Sequence, residues 1–98
     1  MKEHRARIEW SADLILAGLP KFTNTVAPAW FWQDQPKSGH GWSLACRFER
    51  PPDEQGNPTL AYVRFAIDSA PHQRLSVGST LRLFEPVTRN FAHVEILD

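Results

Sequence analysis

The chain has 98 residues, and its 11 Lys and Arg are matched by 11 Asp and Glu, so the formal net charge is zero. A protein that grips nucleic acid by neutralising phosphates carries a basic excess or stripe, and none is visible. The length suits one domain spanning residues 1–98, and 42% hydrophobic residues with 4 Trp, 6 Phe and 1 Tyr describe an ordered globule with a single core.

One cysteine, Cys46, excludes an internal disulfide framework. The opening run MKEHRARIEW has no apolar segment of the signal-peptide kind, and no apolar stretch approaches the ~20 residues of a membrane helix. The expectation is a cytoplasmic protein with no membrane partner.

Alternation of period two dominates the chain. Over residues 4–10, Arg5, Arg7 and Glu9 fall on one face and Ala6, Ile8 and Trp10 on the other, as in a half-buried strand. Ser11 then stands where it can cap a short helical turn over residues 11–16. Ala29, Trp30, Phe31 and Trp32 form an aromatic run between Pro28 and Pro36. With Trp30 and Trp32 taken as core, Phe31 is expected to point outward between them.

Trp42, Leu44, Cys46 and Phe48 alternate with Ser43, Ala45, Arg47 and Glu49, which makes Cys46 a buried small hydrophobe. Ala61, Val63, Phe65 and Ile67 alternate with Leu60, Tyr62, Arg64 and Ala66, so both faces are partly apolar. An unpaired apolar edge around Phe65 would let two copies pair, and the expected state is a monomer or a homodimer. Leu81 and Leu83 alternate with Arg82 and Phe84, and Ala92, Val94 and Ile96 with His93, Glu95 and Leu97. Pro and Gly collect in the connectors at 18–20, 36–41, 51–58 and 68–71. Gly78 lies between two strand patterns, where a turn requires positive φ. Short strands at intervals of 10–20 residues, with no long helical period, make an all-β sandwich or barrel.

Catalytic chemistry is not signalled. His4, His40, His72 and His93 lie in four segments without metal-ligand spacing, and no glycine-rich phosphate loop is present. No metal, cofactor or catalytic residue is therefore assigned. Asp53 and Glu54 read as solvated loop charge, and Glu9, Glu49 and Glu95 as outward-facing. An enzyme would have to use His72 or His93 as a general base beside a carboxylate brought close by folding. The aromatic excess is better suited to docking another chain or stacking bases.

Several segments resemble the C-terminal β-barrel domain of elongation factor Tu, in the manner of small stand-alone proteins built on that domain. Ala6-Arg7-Ile8-Glu9-Trp10 is similar to the family's opening strand, and Pro28-Ala29-Trp30-Phe31-Trp32 to its proline-led aromatic strand. Trp42-Ser43-Leu44 starts the next strand in the same way. Ala70-Pro71-His72, followed by Leu75-Ser76-Val77-Gly78-Ser79-Thr80-Leu81-Arg82-Leu83-Phe84-Glu85, resembles the family's closing segment. The resemblance runs from about residue 4 to residue 97 and implies a six-stranded antiparallel barrel. It also implies contact with tRNA or protein, and no GTPase, because no GTP-binding domain accompanies the barrel. Leu16-Ala17-Gly18-Leu19-Pro20-Lys21 and Pro86-Val87-Thr88-Arg89-Asn90 depart from the family's loops, which counts against tRNA.

The expected function is a non-catalytic interaction module that binds a protein partner. Lys21, Phe31, His40 and Arg89 are the residues expected to touch it. The alternative is an RNA-contacting accessory protein, related to translation factors, that uses Arg5, Arg7, Lys21 and Arg89.

Overall fold

A computed structural model describes residues 2–32, 41–85 and 90–98. Within them lie six strands: β1 (His4–Trp10), β2 (Asn24–Phe31), β3 (Trp42–Arg47), β4 (Thr59–Phe65), β5 (Thr80–Glu85) and β6 (Asn90–Ile96). Two short helices, α1 (Ala12–Ala17) and α2 (Pro52–Gln55), and a 3₁₀ turn at His72–Arg74 complete the set. All strand pairs are antiparallel, and the order β1-β4-β3-β2-β5-β6 closes on itself. The sequential strands β2, β3 and β4 followed in space by β1 make a Greek key. The all-β class expected from the strand patterns, and the six-stranded antiparallel barrel implied by the resemblance, are what the chain forms.

Alternation assigns the inner face. Ala6 and Ile8, Leu44 and Cys46, Ala61, Val63 and Phe65, Leu81 and Leu83, and Ala92, Val94 and Ile96 are all buried. Six strands enclose a narrow bore, which side chains must fill in alternating sizes. The register shows how. Ala6 lies opposite Ala61 and Ile96, while Leu83 lies opposite Ala29 and Ala92. Each fully buried aliphatic side chain in this stack contributes about 1.5–3 kcal/mol.

The same constraint reverses the expectation for β2. Ala27, Ala29 and Phe31 form its inner face, and Phe31 is only 2% exposed. Trp30 is half-buried and Trp32 is 49% exposed on the outside. Register aligns Ala29 with Leu83 and Phe31 with Leu81, both core residues, so the indoles must face outward. Two indoles on one strand would overfill a bore that already takes alanines from four strands.

Closure also removes the edge expected around Phe65. β4 pairs with β1 on one side and β3 on the other, and Phe65 is fully buried. A closed sheet offers no strand for a second copy to extend.

Both ends of the bore are stoppered. At one end Ser11 caps α1, its hydroxyl accepting from the Leu14 amide at 3.4 Å, and Leu14 is buried in the core. Beside it the Trp10 indole N–H donates to Thr59 Oγ1 at 2.9 Å, and that hydroxyl donates to the Gly56 carbonyl at 2.7 Å. Residues 51–58, expected as loop, include the single turn α2, which begins on a proline suited to a helix start. Gln55, at its end, uses its amide as a strand would. It donates to Leu60 O at 3.0 Å and accepts from Leu60 N at 2.9 Å, where β4 outruns β3.

At the other end, Ala70 and Leu75 are buried and the Arg74 guanidinium lies 3.8 Å from the Phe31 ring centroid. His72 meets Phe65 edge-on at 5.8 Å. The expected turn at Gly78 is present with φ of +87°. No helix among the described residues is long and apolar enough to cross a membrane.

Two stability measurements follow from this packing. Thr59→Val leaves the buried Trp10 indole without an acceptor and should cost about 1–3 kcal/mol in chemical denaturation. In a Trp10→Phe background the same change should cost at least about 0.5 kcal/mol less, because the donor is gone; equal costs would break the link. Burial pushes the Cys46 thiol up to about 12. At pH 8 only about one folded molecule in ten thousand carries the thiolate, against roughly a quarter of free cysteines. Thiol reagents should therefore label Cys46 only as fast as the barrel opens. The raised pKa supports the folded state below the ordinary thiol range, and that support is lost as pH climbs toward about 12.

Candidate partner-binding surface

The outward-facing positions of β2, β5 and β6 are set by the inner ones. With Ala29, Leu83 and Ala92 inside, Trp30, Arg82 and His93 must lie outside, and the register joins them in one row: Trp30 opposite Arg82, Arg82 opposite His93, His93 opposite Glu9 of β1. Phe84 opposite Phe91 forms the next row. Trp32, just past the end of β2, is held to β5 by its amide, which donates to Thr80 O at 2.9 Å.

These side chains touch one another in a continuous patch. Trp32 stacks on His93 with centroids 5.0 Å apart and planes 15° from parallel. Arg82 spreads its guanidinium over Trp32 at 4.8 Å and over Phe91 at 5.6 Å. Phe91 also meets Trp30 at 6.4 Å and Phe84 at 5.3 Å. Ring–ring and cation–ring contacts of this kind contribute about 0.5–1.5 kcal/mol each and hold the rings in fixed orientations. Trp32 and Phe91 nonetheless remain 49% and 46% exposed. A shallow groove of about 310 Å³ runs along the patch, with Glu9, Trp32, Arg82, Phe91 and His93 among its walls.

Four of the described arginines pair with carboxylates, and Arg64 donates to Phe65 O at 3.4 Å. Arg5 pairs with Asp98 at 3.0 Å, Arg7 with Glu95, Arg47 with Glu3 at 2.8 Å and Arg50 with Glu54 at 3.9 Å. The bond from Arg47 holds Glu3 below the usual carboxylate range, and the Arg5 backbone amide does the same for Asp98. Arg82 has no carboxylate within ion-pair distance among the described residues. Its charge lies over two rings.

Of the four residues expected to touch a partner, Phe31 lies in the core beneath Arg74 and is not available at the surface. Lys21 is exposed in the connector before β2, which joins α2 through the Asp53 amide and Pro20 O at 3.0 Å, and it is not part of the patch. His40 and Arg89 lie outside the described residues. Arg5 and Arg7, offered for RNA, are engaged by Asp98 and Glu95.

The histidines proposed for general-base chemistry are separated. His72 bonds the Asp68 carbonyl through Nε2 at 3.1 Å, whereas His93 lies in the groove on Trp32. Among the described residues neither ring bonds a carboxylate, and no three His, Cys, Asp or Glu gather as metal ligands. What the patch can do chemically is stack planar or apolar groups and offer one guanidinium.

Trp32, Phe91, Arg82 and His93 were missed as a site because their proximity depends on β2 lying beside β5. Their outward parity was legible for Arg82 and His93, which alternate with core residues in their own strands.

Gly41, exposed just before β3, borders the Trp30 indole. A Cβ there would sit 2.9 Å from Trp30 Cε2 and 3.1 Å from the Ala29 carbonyl oxygen. Gly41→Ala should shift the Trp30 indole N–H resonance and lower stability by about 1–3 kcal/mol, as overpacking does. An unmoved indole resonance would show that the close approach does not constrain the ring.

Compared with models of known protein families, with curated proteins and with solved structures, the chain matches none.

Proposed function

We propose that this protein is a non-catalytic interaction module that binds a protein partner through the outer aromatic face of β2, β5 and β6. The observation that carries this reading is the contact of half-exposed Trp32 and Phe91 with an arginine that has no ion-pair partner among the described residues. Trp and Arg dominate binding energy at protein interfaces, where stacked side chains lose little further freedom on docking. Such a surface keeps its rings about half exposed to water even after their internal contacts are made. The resemblance to the partner-binding C-terminal barrel of elongation factor Tu supports the same class of role, in the cytoplasm.

RNA contact is the second reading, favoured by rings on which bases stack. Zero net charge and the engagement of Arg5 and Arg7 by carboxylates weigh against it. A phosphate-driven complex would weaken steeply with salt.

The test compares affinity purification from cell extract using wild-type protein and the Trp32→Ala/Phe91→Ala double variant. Both substitutions are on the outer face and leave the core intact but remove the ring contacts of Trp32 and Phe91, so the variant should melt lower and is compared with wild type well below its own transition. A protein recovered by wild type should be lost by the variant at least tenfold. Equal recovery by both would remove the patch from the interface, and recovery of RNA alone would replace the proposal with the second reading.

A further inference from the structure

We infer that the occupant of the patch is a short extended segment of a partner chain carrying an acidic side chain beside an apolar one, with the carboxylate bound by Arg82. The inference rests on the reading above and adds the chemistry of the ligand.

Size comes first. Aromatic side chains carry roughly 150–250 Å² each, so half-exposed Trp32 and Phe91 each offer on the order of 100 Å². A stable dimer or globular complex covers about 800 Å² per partner. The two rings supply only a fraction of such a footprint, and their area matches the side chains of two or three residues of a peptide. Closure of the barrel points the same way, since each described strand already has a neighbour on both sides.

Charge comes second. Arg82 lies over Trp32 and Phe91 and makes no ion pair among the described residues, and a guanidinium can offer a carboxylate a fork of two parallel N–H bonds. A carboxylate fits that fork. Arg5, Arg7, Arg47 and Arg50 each reach a carboxylate within the chain and Arg64 reaches the Phe65 carbonyl, whereas Arg82 makes no ion pair among the described residues and lies over rings. Glu9, opposite His93 across the β1–β6 pair, lines the same groove and is half-engaged by Arg7 at 4.0 Å. It places a negative charge at one rim, so a highly acidic run is disfavoured. One carboxylate over Arg82 is favoured, with an apolar neighbour on Trp32 or Phe91.

A peptide array with both ends capped, in which each position is scanned through Asp, Glu, Asn, Gln and apolar residues, tests this on the whole chain. Binding is then measured by fluorescence anisotropy for the peptides that give signal. One Asp or Glu next to an apolar residue should be required, and its replacement by the amide should weaken binding tenfold or more. Arg82→Gln should lose a similar factor and no longer distinguish acid from amide; Trp32→Ala/Phe91→Ala should lose binding altogether.

Peptides that depend on Trp32 and Phe91 but ignore both the acid and Arg82 would overturn the carboxylate while leaving the protein-binding reading. No patch-dependent peptide signal, with partner capture by the purification above still abolished in the double variant, would overturn the short-segment occupant alone. Binding of a single-stranded oligonucleotide at low salt, with no peptide bound, would overturn both.

Discussion

Closing a sheet over six strands leaves a bore so narrow that every inner position is committed to a size as well as to a face. Ala6, Ala29, Ala61 and Ala92 make the room that Ile8, Leu83, Val94 and Ile96 occupy, and Phe31 and Phe65 meet edge-on at 5.9 Å where the bore ends. From this one constraint the rest follows. Side chains too large for the bore are either at its ends, as Trp10 and Trp42 are, or on the outside, as Trp30 and Trp32 are. The hydrogen bond from Trp10 to Thr59 is what lets an indole serve as a stopper without leaving its N–H unsatisfied.

Closure also determines what the outer surface can be used for. Because each described strand has a neighbour on both sides, the outer surface presents side chains more than backbone ladders. The neutral charge balance acquires a local meaning here. Most described arginines lie within reach of a carboxylate on a neighbouring strand or loop, so the surface is largely self-compensated. Arg82 is different because its neighbours across the sheet are Trp30 and His93. Rings can hold a guanidinium without neutralising it, and that combination distinguishes the β2–β5–β6 face from the rest of the barrel.

Much of the architecture could be read residue by residue. Alternation placed Ala6, Ile8 and Trp10, Leu44 and Cys46, Val63 and Phe65, and Leu81 and Leu83 on their correct faces, because a pleated strand imposes period two whatever it packs against. Ser11 was legible as a helix cap for the same local reason. The aromatic run of β2 failed because all its residues are apolar, so alternation of polarity carried no information there. The missing signal was size: Ala27 and Ala29 mark the inner parity, and Phe31 continues it. The edge expected at Phe65 failed because pairing between β4 and β1 joins residues more than fifty positions apart.

The amino-acid sequence by itself determined the all-β class, the strand parities where polar and apolar residues alternate, the buried thiol and the helix cap. These depend on neighbours one to four positions away. Tertiary structure alone decided which large aromatics are core and which are surface, and which strands share a face. It also decided that Arg82 stands among rings while Arg5 and Arg7 stand beside carboxylates. Those outcomes depend on ring closure and register, which bring together residues that no local pattern connects.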